Sequence, residues 1–191
     1  MARLLVYGSA EFGQVIAPLA QDCGFEVAGF IDDWNSCSEV LGSGADLPGK
    51  FPPGEFEIAI AIGYRHLDAR WNVFDNLSRV GYRFPALIHP KAVVAHSAKV
   101  ADGSFVMANA TVDVRALLDH LVVVWPGAII NHDATIGRNS FLSPGSIICG
   151  HSTIGAGCFV GAGAVVVDHM SVPSNTFIKA ATRHSNSESK G

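Results

Sequence analysis

The sequence predicts two domains of different class. An α/β, Rossmann-like domain over residues 1–86 precedes an all-β parallel β-helix of six-residue repeats over 87–180, and a flexible polar tail occupies 181–191. Three observations carry this reading. From Ile88 to Ile178 every sixth residue is a branched aliphatic, sixteen in succession. Four places beyond each, from Ala92 to Thr176, thirteen of fifteen residues are small, with Val122 and Met170 the exceptions. The first 31 residues run strand, glycine-containing turn, helix, strand, which is the opening of a doubly wound α/β unit.

Arg3 to Tyr7 reads as a buried strand. The turn Gly8-Ser9-Ala10-Glu11-Phe12-Gly13 leads into a helical pattern from Gln14 to about Cys23. Phe25 to Ile31 is a second strand ending at Asp32-Asp33. Trp34 to Pro53 is rich in Gly, Ser and Pro and reads as an exposed loop. Glu57 to Ile62 is a third strand, and Leu67 to Arg79 a helix stopped by Gly81. A short strand from Tyr82 to Ile88 leads into the repeat. The turn is a partial dinucleotide fingerprint, since Glu11 and Phe12 stand where a middle glycine is usual. Such turns aim backbone N–H groups and a helix N-terminus at phosphate, and an acidic strand end such as Asp32 or Asp33 can accept from a ribose hydroxyl. The same glycines also serve plain packing, and both readings stay open at this point.

A period of six suits neither an α-helix nor one long strand. It suits short strands joined by corners, the aliphatic pointing inward and the small residue fitting a tight site beside the corner. Three faces make a coil of about eighteen residues, so the ninety residues from Ile88 to Ile178 make about five coils, each covering the open edge of the next.

Composition narrows the function. The chain has 191 residues, 49% hydrophobic and 16% charged, with a formal net charge of -4. That balance lacks the basic stripe of a nucleic-acid binder. Apolar runs are broken well before the length of a membrane span, and the N-terminal apolar run is too short for a signal peptide, so a cytoplasmic protein is expected. The four cysteines form no CxxC pair and read as reduced thiols.

The order of motifs carries a family resemblance. An Ile31-Asp32-Asp33 strand end and Ala61-Ile62-Gly63 precede Leu87-Ile88-His89-Pro90. The hexapeptides follow, then Ile130-Asn131-His132-Asp133 with Ile136-Gly137. Over nearly the whole chain this resembles the nucleotide-sugar acyltransferases that include bacillosamine N-acetyltransferase, perosamine N-acetyltransferase and the sialic acid O-acetyltransferase-like proteins. The resemblance implies a left-handed β-helix and a homotrimer with active sites between subunits. It implies acetyl-CoA as co-substrate, no metal, and N-acetylation of a UDP- or dTDP-linked amino sugar for bacterial surface glycan synthesis. Sugar O-acylation is the alternative enzyme reading, and a non-catalytic trimeric nucleotide-sugar-binding protein the alternative outside catalysis. By the same resemblance His132 is the general base, Asp133 its acidic neighbour, and Gly150 the backbone donor facing the thioester carbonyl. Gly8, Gly13, Asp32 and Asp33 hold the nucleotide.

Elementary chemistry agrees with parts of this. His132 lies two places after inward Ile130, hence at a corner and outward. A histidine can act as a base near neutral pH, and an adjacent carboxylate can fix its tautomer. One coil further, 132 + 18 = 150, so Gly150 is expected directly above His132, its N–H available to an oxyanion. Trp125-Pro126 stands where relatives carry a polar Asn-Thr pair. Arg65 and Arg70 read as surface arginines within reach of a phosphate. A zinc hydratase would pair His96 and His132 with a third histidine at Gly137, so zinc lacks its third ligand.

Overall fold

The computed structural model describes residues 3–185 and divides into two compact units between Leu87 and Ile88. In the first unit the order is β1 (Arg3–Tyr7), α1 (Glu11–Asp22), β2 (Glu26–Ile31), β3 (Val40–Gly42), α2 (Leu47–Lys50), β4 (Phe56–Ile60) and α3 (Leu67–Val80). The four strands pair in parallel in the order β3-β2-β1-β4. Leu4, Leu5 and Val6 of β1 are fully buried, as a continuous apolar run in the middle of a parallel sheet requires. The chain builds β2 and β3 on one side of β1 and returns to place β4 on the other. The strand order therefore reverses between β1 and β4, and it is outside the carboxyl ends of such a pair that open α/β sheets bind ligands.

The differences from expectation are local. α1 begins at Glu11 rather than Gln14, because Gly13 is part of its first turn. A Cβ there would lie 2.0 Å from the Gly8 carbonyl oxygen, so glycine is what lets the helix pack onto the preceding turn. The segment expected to be an exposed loop contains β3 and α2, and Leu47 is fully buried. Its polar composition reflects a capping box in which Asp46 Oδ2 accepts from Ser43 N at 2.8 Å and Ser43 Oγ at 2.9 Å. Of the strand expected over Tyr82 to Ile88, Leu87–Ile88 is a strand and Arg83 forms a single bridge to Glu57, with Pro85, which has no N–H to donate, between them. α3 ends as its glycine predicts, Gly81 adopting φ 101° and taking carbonyls of the last turn. Arg70 is not a surface residue. It is fully buried in α3, its Nε donates to the Ile60 carbonyl at 3.4 Å, and burial pushes its guanidinium down to about 9.

The second unit is a left-handed parallel β-helix of about five turns. Two-residue strands repeat every eighteen residues on three faces. One face carries Phe105–Val106, Val123–Val124, Phe141–Leu142, Phe159–Val160 and Phe177–Ile178. The next carries Thr111–Val112, Ile129–Ile130, Ile147–Ile148 and Val165–Val166, and the third Leu117–Leu118, Thr135–Ile136 and Thr153–Ile154. The second residue of each pair points inward, and these aliphatics with Ala110, Ala116, Ala128, Ala134 and Ala164 form one continuous core. At three of the four serines in the small position the hydroxyl ties coils together, whereas Ser146 Oγ is buried without a hydrogen-bond partner. Ser140 Oγ donates to the Gly155 carbonyl at 3.1 Å and accepts from Cys158 N at 3.0 Å, and Ser104 and Ser152 make the same pair of bonds one coil on.

The ladder extends to Arg183–His184, paired with Val165–Val166, so the described part of the expected tail continues the solenoid. Residues 186–191 lie outside the described residues. Among the described residues no helix is long and apolar enough to cross a membrane.

Candidate active site

Eighteen-residue stacking decides which side chains meet at a corner. One corner of the solenoid carries Arg115, Asp133, His151 and His169 in successive coils, each in the left-handed conformation with φ between 55° and 59°. On the other two corners glycine takes many of these positions, as at Gly127, Gly145 and Gly163. A left-handed conformation costs a residue with a Cβ on the order of 1 kcal/mol or more. Asn109, Leu121 and Asn139 accept that cost on the other corners too, but among the described residues this corner alone does so in four consecutive coils with charged or titratable side chains.

His132 stands beside this column. Its Nδ1 lies 2.9 Å from Asp133 Oδ2, so with the Nδ1–H tautomer its Nε2 lone pair is free. Arg115 Nε donates to Asp133 Oδ1 and Arg115 Nη2 to Asp133 Oδ2, both at 2.7 Å. The Arg115 guanidinium, and then the hydrogen bond with His132, hold the Asp133 carboxyl well below the usual carboxylate range. His151 Nε2 is 3.8 Å from Asp133 Oδ2, the rings of His132 and His151 meet edge to face at 5.2 Å, and His151 stacks on His169 at 4.9 Å.

Gly150 lies directly over His132. A Cβ at this position would sit 2.8 Å from Cε1 and 2.9 Å from Nε2 of the imidazole, inside contact distance. Its N–H has no acceptor among the described residues, while its carbonyl accepts from His169 N. His132, Asp133 and Gly150 are thus brought together. Arg115 was missed, although the same spacing locates it one coil before Asp133. His132, Asp133 and His151 bring potential donor atoms within 4.8 Å of one another. Both Asp133 oxygens are taken by a guanidinium, however, whose charge opposes a second cation.

The first unit holds a cavity of about 440 Å³ at its strand-order reversal. Tyr7, Gly8, Ala61 and Ile62 line it from the ends of β1 and β4, Asp32 and Trp34 from the end of β2. Of the expected nucleotide residues, Gly8 and Asp32 line this cavity, whereas Gly13 and Asp33 do not. Asp33 accepts from Tyr7 Oη and from Gly44 N at 2.9 Å. Asp32 is occupied: Oδ1 accepts from Trp34 N and Asn35 N, and Oδ2 from Ser9 N, Ser9 Oγ and Asn35 Nδ2. A carboxylate offers about four lone-pair sites, so Asp32 staples the two loops that frame the cavity and keeps no acceptor for a ribose. Burial pushes its carboxyl up, but the bonds from Asn35, Ser9 and Trp34 outweigh this and hold it well below the usual range. Trp34 is 77% exposed, a large aromatic face at the cavity's rim. Trp125 and Pro126 lie beside Gly127, on a different corner from His132.

Residues 3–77 match the family model of the PglD N-terminal domain, and residues 133–168 that of the bacterial transferase hexapeptide. The acetyltransferase domain of PglB from Neisseria gonorrhoeae is 30% identical, with a TM-score of 0.91 over 97% of this chain and 92% of that one. The same domain in complex with acetyl coenzyme A superposes with a TM-score of 0.74 at 29% identity, over 93% of this chain and 95% of that one. A mutant of perosamine N-acetyltransferase from Caulobacter crescentus, in complex with CoA and GDP-perosamine, shares the fold at 24% identity, with a TM-score of 0.78 over 94% of each chain.

Proposed function

The chain belongs to the hexapeptide-repeat nucleotide-sugar acyltransferases, and from that premise we propose that it transfers an acetyl group from acetyl-CoA to the amine of a nucleotide-linked amino sugar. The observation that carries the mechanism is Gly150 stacked on the His132 ring, with His132 Nδ1 held 2.9 Å from Asp133. His132 Nε2 takes a proton from the sugar amine as its nitrogen attacks the thioester carbonyl carbon. The Gly150 N–H, which has no acceptor among the described residues, donates to the oxyanion of the tetrahedral intermediate. Collapse breaks the C–S bond, and the thiolate of CoA takes up the proton from the His132 imidazolium. Asp133 orients the ring throughout and stabilises its cationic form. The cavity between β1 and β4 takes the nucleotide, with the N-terminus of α1 toward phosphate. UDP and dTDP remain the proposed nucleotides, a homotrimer the proposed assembly, and surface glycan synthesis the proposed role.

The test is His132→Ala, assayed for CoA release with an amino-sugar acceptor. The variant is expected to fold normally and to lose turnover by about 10²–10⁴-fold, the usual contribution of a positioned general base. Full turnover in this variant removes His132 from the mechanism.

A further inference from the structure

We propose that Arg115 is a positioning residue for the proposed base, acting through Asp133. It fixes the carboxylate that orients His132 and offsets its charge, so that the imidazole is aligned without being driven into its protonated form. The geometry is specific. Two parallel N–H···O bonds of 2.7 Å bind both carboxylate oxygens, an arrangement that fixes the plane of the carboxylate as a single donor does not. In that plane Oδ2 faces His132 Nδ1. Arg115 and Asp133 both sit at left-handed corner positions one coil apart, φ 58° and 59°, where glycine would carry no strain. Shortening either side chain would break the chain of contacts from the guanidinium to the imidazole.

The charges around His132 set the sign of the effect. Asp133 is on its own coil. Arg115 and Asp113 are on the coil before, and Asp113 also favours the charged form of Arg115. His151 is on the coil after, stacked on His169. A lone carboxylate beside an imidazole stabilises the imidazolium and raises the pH at which it loses its proton. Paired with Arg115, Asp133 keeps its hydrogen bond to Nδ1 while its net field at the ring falls. A ring too strongly protonated near pH 7 cannot accept a proton from an amine. Removing Arg115 therefore damages a base of this kind twice, by loosening its alignment and by keeping it protonated. Arg115 is 62% exposed at its side chain, so solvent and salt screen the effect.

The inference rests on His132 being the base, but its test needs no acyl acceptor, so a wrong substrate assignment leaves it intact. The full chain carrying ¹⁵N- and ¹³C-labelled histidine is titrated by NMR as wild type, Arg115→Met, Arg115→Gln and Arg115→Lys, with His132→Gln identifying the His132 signals. The wild type is expected to show the Nδ1–H tautomer. Arg115→Met and Arg115→Gln are expected to move the His132 midpoint upward and to mix the tautomers. Arg115→Lys, which keeps the charge but not the paired bonds, is expected to leave the midpoint near the wild-type value while still mixing the tautomers. Added salt should shrink the difference between wild type and Arg115→Met. A His132 midpoint and tautomer that stay at the wild-type values in both neutral variants would overturn the proposal.

Discussion

His132 is confined from two directions, by Asp133 at Nδ1 and by the bare Cα of Gly150 over the ring. Gly150 is not at a left-handed position, so alanine fits its backbone, and the sole change is a methyl group pressing on the imidazole. Gly150→Ala is expected to fold with wild-type stability and to lose about 10–100-fold in kcat, because a displacement on the order of 1 Å at a reacting group costs that much. The measurement is steady-state CoA release alongside a thermal melt; wild-type kcat would show that the ring has room to spare. Stepping forward by eighteen from His132 finds Gly150 in the sequence. Stepping back by eighteen from Asp133 finds Arg115 equally well, but nothing in an exposed arginine distinguishes it until its partner is known. Asp32 is the opposite case. Its position at a strand end is legible, but its saturation is not, because its donors Ser9, Trp34 and Asn35 come from two loops whose approach depends on the folded chain.

The loops after β1 and β2 frame the cavity, and the Asp32 carboxylate joins them. Its pKa is depressed in the folded state, so the stability it contributes is fully present above its unfolded value of about 4 and is lost as pH falls from there toward the folded value. Asp32→Asn is therefore expected to cost about 2 kcal/mol at pH 6–8, the scale of hydrogen bonds to a buried charge. The gap to wild type should close progressively below pH 4. Urea unfolding at several pH values measures it, and a gap independent of pH would mean that the charge of Asp32 is not what holds the loops. The switch between β1 and β4 follows from the strand sequence once the order of pairing is known. The helix α2 and buried Leu47 do not, since glycine, serine and proline there conceal a capping box inside a segment that composition assigns to loop.

Across the molecule, the solenoid is more legible than the α/β unit, for a physical reason. Each coil repeats one packing problem, an inward aliphatic and a small neighbour, so Ile130, Ile148 and Val166 announce the same site three times over, each fully buried. The α/β unit solves each packing problem once. Buried Arg70, read from sequence as a surface cation, shows what a single occurrence leaves hidden. The proposed catalytic corner inherits its clarity from the repeat, and the proposed nucleotide cavity is built from contacts that each occur once.

Acetyl transfer to an amine is the central claim, and a coupled CoA-release assay tests it most directly. Acetyl-CoA is presented with UDP-, dTDP- and GDP-linked 3-amino and 4-amino sugars and with their hydroxyl counterparts. The account predicts release with at least one amino sugar and none with the matching hydroxyl sugar. Release with the hydroxyl sugar alone, or none across the panel from a protein that binds CoA, would contradict it.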